Sequence, residues 1–398
     1  MTEQTFSYIN RVYWDSFGPS KLGVFLDDQP PENGKFLWYA KRGVAQCFVF
    51  IFYPFFIFIQ IWGIFAKESN NLMGISFDIS LLCHNVQNFM KMGFWLTHLP
   101  TIRSLCLDFS KSHVAQHRPL LTAWILKKES KSVRKLVGRC YMISYANILF
   151  WFVFPTSTSV FKYVVDYLGN MGYRMFVAFL EIPVFSLAFV YFQPIDMFFA
   201  TVINMAQAQF KALNAALFEM PDELERFWDS EVPVDDTGSP MSMALFIQDH
   251  QFMIRYGEKL RKILNPILGL VTFNCITIIC NMTIVASLQF KEEAAFLDLV
   301  LPATASILVV LTCLYVFYTF TSMTGILKDA EESVFHALWA SKWYEKSVKE
   351  RKTIIFMQKE SMKARRIRLF GVGDMGRYTF IDGLRMIYSY YNFMQRFK

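Results

Sequence analysis

Few residues in this chain have the types and spacings that catalysis or metal binding requires. Gly371-Val372-Gly373-Asp374-Met375-Gly376 matches the Gly-x-Gly-x-x-Gly loop that lets a backbone approach a pyrophosphate. That chemistry needs a βαβ unit around it. Here the basic run Arg365-Arg366-Ile367-Arg368 precedes the glycines and an apolar stretch follows, so the motif reads as a hinge before a last helix. His113 and His117 stand four apart, as metal ligands can, but no Cys or Glu joins them and Pro119 is close behind, which favours a solvated loop. Cys275 and Cys280 lie in an apolar run and read as small apolar residues rather than a redox pair. The eight acids of 219–236, with Pro221 and Pro233, lack the spacing of a calcium loop and mark a mobile segment. An enzyme is not indicated, and neither a metal nor a cofactor is expected.

The more informative polar residues are those placed where charge is unfavourable. Asp78, His84 and Lys91 fall in the apolar stretch 72–99, and Asp382 and Arg385 in 378–397. Ionisable groups at membrane depth usually face a bundle interior or a water-filled cavity. At 100° per residue, Phe77, Ser80, His84, Gln87, Lys91, Trp95 and His98 fall within about 80° of one another, a stripe that lipid would not tolerate. Tyr378, Asp382, Arg385, Ser389, Asn392 and Arg396 form a second such stripe, with Phe380, Leu384, Ile387, Tyr391 and Met394 on the other side. One continuous polar stripe on an otherwise apolar helix is what a water-filled conduit requires. The alternative is that Asp382 and Arg385 pair with each other across one turn.

The elements that must position these residues follow from composition. The 398 residues are 54% hydrophobic, 17% aromatic and 18% charged, with a mean hydropathy of +0.28. Soluble domains average about 25% charge, which excludes a soluble multidomain enzyme, and the 18 Gly and 14 Pro are too few for a disordered or linker-rich chain. Apolar blocks long enough to span a bilayer lie at 44–65, 72–99, 140–161, 176–205, 263–288, 297–325 and 378–397. The expected fold class is all-α: a polytopic membrane protein with seven transmembrane helices. Of the 40 Lys and Arg, 32 fall in segments on one side when the connections are assigned alternately. The positive-inside rule then puts the N-terminus in the cytoplasm and the C-terminus outside.

This orientation is the reverse of a G-protein-coupled receptor. Asn265-Pro266-Ile267-Leu268-Gly269 also has the wrong tail for that class. The seven cysteines all fall in spans or on the cytoplasmic side, so no extracellular disulfide framework is expected, and the sequon Asn281-Met282-Thr283 lies inside a span. Residues 1–29 are polar, followed by Pro30-Pro31, and show no cleavable signal. No internal repeat points to a transporter of paired halves.

Residues 328–363 read as cytoplasmic helix, with Val334, Leu338, Val348, Ile355 and Met362 on one face. That face must bury against other helices or subunits, or else lie on the membrane surface. The chain thus divides into 1–325, the N-terminal segment and six spans; 326–370, cytoplasmic anchor helices; and 371–398, a seventh span whose polar stripe fits a pore lining.

Glu332-Ser333, Ala337, Lys342-Trp343-Tyr344, the basic helix around Arg351-Lys352 and Met357, and a last span carrying Tyr388-Ser389-Tyr390 together resemble the C-terminal signature of insect odorant receptors. The closing pattern of gustatory receptors is not kept in 389–397, which favours odorant over taste. The resemblance implies a subunit of a ligand-gated, non-selective cation channel of four subunits, in which a tuning chain assembles with an obligate co-receptor around one pore. The co-receptor is longer between its fourth and fifth spans, so the short acidic loop here implies the tuning role. Expected partners are therefore the co-receptor, a small volatile apolar ligand, membrane lipid and permeant cations, with no nucleic acid. The expected location is the cell membrane of a sensory neuron dendrite. The resemblance implies a pocket in the outer half of the spans of 1–325, where Phe77, Ser80 and His84 would stand against Phe150, Trp151 and Phe154 of the third span and Phe179, Phe185 and Phe189 of the fourth. Aromatic walls with few polar groups suit a small neutral volatile. Trp343 and Tyr344 are the expected subunit anchor. Asp382, Arg385, Ser389, Asn392, Phe393 and Arg396 are the expected pore residues, with Phe393 at the position that carries a smaller apolar gate residue in the co-receptor.

Overall fold

The computed structural model describes residues 35–65, 72–108, 112, 114, 119–153, 182–217, 242–289, 296–363, 365–369 and 373–396. A helix covers the described part of each of the seven apolar blocks. The chain enters through α1 (Lys35–Cys47), a π-helical turn (Phe48–Phe52) and α2 (Tyr53–Phe65). It continues through α3 (Leu72–Thr97), α4 (Leu99–Asp108), α5 (Pro119–Val153) and α6 (Ile182–Ala215). The longest helices, α7 (Met243–Gln289) and α8 (Phe296–Ala340), lead through a 3-10 turn (Trp343–Glu345) to α9 (Val348–Ser361) and α10 (Arg377–Gln395). Among the described residues, two helical stretches, Met243–Ser287 and Ser306–Ala340, meet the length and apolarity of a span outright, with mean hydropathies of 2.0 and 1.8.

The central element is α7. It packs against α3, α8 and α10, while α8 also packs against α6 and α9, and α5 closes on α6. Its burial follows from its sequence: Leu260, Ile263, Leu264, Ile267, Leu268, Val271 and Cys275 recur at helical spacing and are all buried. In contrast, Phe50 and Phe52 of the π-helical turn and Phe55, Phe58 and Trp62 of α2 are exposed, as side chains meeting lipid are.

Two expectations need refinement. Residues 328–363 are not one helix but the end of α8, a break at 341–347, and α9. Ser347 caps α9 in a capping box with Glu350, each side chain bonding the other's backbone, and this restarts the helix on a new register. Consequently Val334 and Leu338 of α8 are buried, but α9 buries Ile354 and Met357 and exposes Val348 and Ile355, with Met362 exposed just beyond it. The glycine-rich motif contributes to a two-stranded antiparallel hairpin, β1 (Arg368–Leu369) with β2 (Gly373–Asp374), directly before α10. A hairpin leading into a helix matches the hinge reading and has none of the parallel βαβ architecture of a dinucleotide site.

Candidate functional site

The stripe of α3 turns inward. Ser80, Gln87, Lys91 and Trp95 are buried, His98 is half-buried, and His84 is exposed, its Nε2 3.0 Å from Asn88 Nδ2. Burying polar groups in a membrane protein requires partners, and the stripe has them on two neighbouring helices, its flank on a third. Lys91 Nζ donates to Asp196 Oδ2 of α6 at 2.8 Å. Asn274 Nδ2 of α7 donates to Gln87 Oε1. On the flank, Tyr53 donates through its hydroxyl to Asn85 Oδ1 at 2.8 Å, and Asn85 Nδ2 donates to Gln60 Oε1 at 2.9 Å. Trp95 closes this layer, edge-on to Phe198 at 4.8 Å and Phe199 at 5.8 Å. The result is a packed, hydrogen-bonded floor through the middle of the bundle.

Above that floor, chain direction brings together the helix ends that carry the described positions of the expected pocket. The pairs Lys91–Asp196 and Trp95–Phe198 run α3 parallel to α6, whereas Glu129 with Lys211, and Cys140 beside Met197, run α5 antiparallel to α6. The start of α3, the end of α5 and the start of α6 therefore share an end. Ser80 is there, its hydroxyl donated to the Ser76 carbonyl at 2.9 Å, and so is His84. Phe77 in α3, Phe150 and Trp151 in α5, and Phe185 and Phe189 in α6 are on the right helices, but their side chains lie outside the described residues. Phe154 and Phe179 lie outside them altogether.

On α10 the polar stripe faces away from the rest of the chain. Tyr378, Asp382, Arg385, Ser389, Phe393 and Arg396 are exposed and Asn392 is half-buried, whereas Gly383 and Ile387 are buried against α7 and α8. Gly383 lets the helices touch: a Cβ there would stand 2.6 Å from the Phe317 ring. Phe380 adds ring contacts with Phe317 at 5.3 Å and Tyr318 at 5.5 Å. Arg385 Nη1 does pair with Asp382 Oδ1, at 3.2 Å, but on the exposed face rather than inside the bundle.

At the opposite end from the expected pocket, α8 and α9 form a platform. Arg261 Nη1 of α7 meets Glu331 Oε1 at 2.6 Å with both side chains largely buried; burial holds the Glu331 carboxyl above its usual range while Arg261 opposes the rise. His250 Nε2 lies 3.1 Å from the Ser361 hydroxyl, and burial, aided by Arg365 and opposed by Glu360, pushes its pKa down to about 4. Trp343 is half-buried, its ring tilted against that of Trp339 at 5.7 Å, but Tyr344 is 61% exposed. Trp339, Tyr344, Ile355, Phe356 and Met362 together leave much apolar surface open on this platform.

Three polar residues of the central floor escape a search restricted to charges in weak spans. Asn85 and Asn274 are neutral amides, and Asp196 sits in one of the most apolar blocks, 176–205. The signal for Asp196 was present, because a buried lysine in one span calls for an acid in another.

The chain was compared with known proteins. No curated protein sequence matches it. Among solved structures it is similar to the insect olfactory receptor OR5 from Machilis hrabei in complex with eugenol, with a TM-score of 0.74 at 12% identity, covering 98% of this chain and 100% of that one. It is likewise similar to a second structure of the insect olfactory receptor OR5 from Machilis hrabei, with a TM-score of 0.73, 12% identity and 99% of each chain covered. At such identity the likeness establishes a shared helical membrane fold. The family model described as 7tm Odorant receptor matches residues 79–388, most of the sequence, and on that match the chain belongs to the 7tm odorant receptor family.

Proposed function

We propose that this odorant receptor is the tuning subunit of an odorant-gated, non-selective cation channel, assembling with a co-receptor around a central pore in the membrane of sensory dendrites. The observation that carries this reading is the orientation of α10. Gly383 and Ile387 pack inward, and the polar stripe lies on the open surface of the helix together with Ile381, Leu384, Met386, Tyr388 and Tyr390. Copies arranged about an axis bring such stripes together around water. In this arrangement Asp382 and Ser389 contact permeant cations, while Phe393 and Arg396 narrow the path and oppose them, so a pore with four copies of this chain conducts poorly.

Ligand enters the end of the bundle where Phe77, Ser80 and His84 meet Phe150, Trp151, Phe154, Phe179, Phe185 and Phe189, above the Gln87–Lys91 floor. A volatile that fits this site better in the open state biases the gating equilibrium by that difference in affinity. OR5, solved with eugenol, shares the fold and supports a small-molecule site.

The test is cysteine substitution in channels formed with a co-receptor. Ser389→Cys and Asn392→Cys should react with water-soluble thiol reagents in the open state and change the current, and Ile387→Cys should not. Equal reaction around the helix, or none at position 389, removes the pore assignment. For the pocket, Trp151→Ala and His84→Ala should reorder the ligand ranking, and an unchanged ranking removes both residues from it.

A further inference from the structure

A cleft of about 110 Å³ between α5, α6 and α8 is used by neither the pocket, the pore nor the anchor. Its depth follows from the residues that line it. Leu136 stands four residues before the apolar block of α5, Ile203 and Gln207 straddle the end of the α6 block at 205, and Tyr318 and Ile326 straddle the end of the α8 block at 325. The cleft therefore lies at one boundary of the apolar layer, at the end opposite the expected pocket. Ser132 and Tyr318 of its lining are exposed, so it is open to the surroundings. At such a boundary an amphipathic molecule keeps its apolar body in hydrocarbon and its polar tip among the headgroups.

The walls are mostly apolar, with Leu136, Ile203, Met323 and Ile326, and no lining residue carries a charge. The Tyr318 ring is backed by Phe380 of α10, edge-on at 5.5 Å. Water alone suits this space poorly. About three or four molecules would fill it, and each needs at least two polar partners that these walls do not offer. The polar groups present are few and specific. Asn204 Nδ2 faces Gln207 Oε1 at 3.5 Å, while Asn204 Oδ1 is buried with no hydrogen-bond partner among the described residues. A buried amide oxygen without a donor is destabilising unless something outside the chain supplies one. The amide torsion of asparagine is soft, so a modest turn presents that oxygen to the cleft. On the α8 wall Thr319 is buried and, unlike Thr312, Thr321 and Thr324, does not return its hydroxyl to a carbonyl of its own helix. That hydroxyl remains able to bond a molecule in the cleft.

The geometry points to a second small-molecule site, for a neutral alcohol whose hydroxyl donates to Asn204 Oδ1 and accepts from Thr319, its apolar body lying against Leu136, Met323 and the Tyr318 ring. A dry cavity of about 150 Å³ holds benzene, so a half-open cleft of this size suits about five to eight heavy atoms. Other chemistries fit less well. A carboxylate finds no cation on these walls and an amine no carboxylate. An ether, ester or ketone accepts hydrogen bonds but has none to give to Asn204, and a hydrocarbon leaves that oxygen unpaired. The site stands on the packing of α5, α6 and α8 and is independent of the pocket and pore assignments.

The experiment uses the purified full chain in phosphatidylcholine nanodiscs, irradiated with a pentanol that carries a diazirine on its chain, and the labelled residues are mapped by mass spectrometry. Labelling should fall on the cleft walls of α5, α6 and α8 and be displaced by unlabelled 1-pentanol. The matching diazirine pentane, which lacks the hydroxyl, should label these walls about tenfold less. Asn204→Leu, close in volume, should lower cleft labelling by the alcohol about tenfold, and Thr319→Val, which keeps the shape of the side chain, several-fold. Ser322→Leu, which fills the cleft from the α8 wall, should abolish it. Melting temperatures without alcohol should not fall in these variants, which separates a lost site from a lost fold. Labelling of the expected pocket is read separately, since His84→Ala with Trp151→Ala should leave the cleft signal unchanged. Equal cleft labelling by the alcohol and the alkane, or labelling that survives both Asn204→Leu and Thr319→Val, would mean partition into the bilayer boundary only and overturn the site. Labelling spread along all the spans in proportion to their exposure would do the same.

Discussion

A lysine with 3% of its side chain exposed in the middle of a helical bundle needs a counterion, and Asp196 Oδ2 at 2.8 Å provides it. Such pairs contribute little net stability relative to an apolar replacement, yet removing one member strands the other. Lys91→Met should therefore destabilise the protein by about 3–5 kcal/mol, whereas Lys91→Met with Asp196→Leu should recover most of that loss. Melting of the purified variants in detergent checks both, and a double variant no better than the single would contradict the account. His250 makes a pH prediction of definite sign. Its folded pKa, about 4, lies below the ordinary histidine value near 6.5, so the unfolded chain binds the proton first as pH falls. Stability from neutral His250 is complete above about pH 6.5, declines below it and is lost by about pH 4, with about 2 kcal/mol gone at pH 5. His250→Gln should flatten that part of the melting profile relative to the unsubstituted protein, and parallel profiles would show that His250 is not responsible.

Among the elements, α10 depends on one missing side chain for its contact with the body of the chain. Phe317 is buried at 1% exposure and has no room to retreat from a methyl group at position 383. Gly383→Ala should cost about 1–3 kcal/mol or lift α10 from α8, and Phe317→Leu in the same chain should relieve it. Channel currents and melting temperatures should move together in this pair. At this scale the sequence was legible where a pattern repeats without interruption. The seven apolar blocks, and the inward stripe of α3, follow from apolar run length and the 3.6-residue period. The face of α9 did not, because a period carried across 341–347 ignores that a 3-10 turn and a new cap reset the register. The Ser347–Glu350 spacing is itself a helix-start signal, and giving it priority over the period would have placed Ile354 and Met357 inside. The partner of Lys91 required knowledge of which helices touch, and no local pattern carries that.

For the molecule as a whole, exposed apolar side chains along the spans, those of the π-helical turn and α2 among them, are what lipid covers, whereas those of the α8–α9 platform lie beyond the apolar blocks, where the proposed assembly would cover them. The reading of Trp343 and Tyr344 as an anchor is a statement about the assembly, since within one chain Tyr344 is mostly open. Trp343→Ala with Tyr344→Ala should reduce assembly with a co-receptor at the cell surface, counted by single-molecule subunit bleaching, and leave the ligand ranking of surviving channels unchanged. Intact assembly with a shifted ranking would reverse the roles given to platform and pocket. The lengths of α7 and α8 add a mechanical consequence. At 47 residues α7 is about 70 Å long, more than twice the roughly 30 Å of a hydrocarbon core. The part before Pro266 is thus a lever arm of about 35 Å, and Pro266, which has no amide hydrogen to donate, marks its fulcrum. A tilt of about 5° there sweeps the far tip through about 3 Å, and Arg368, whose amide donates to Asn265 Oδ1 beside the fulcrum, ties the hairpin and α10 to the point that moves least.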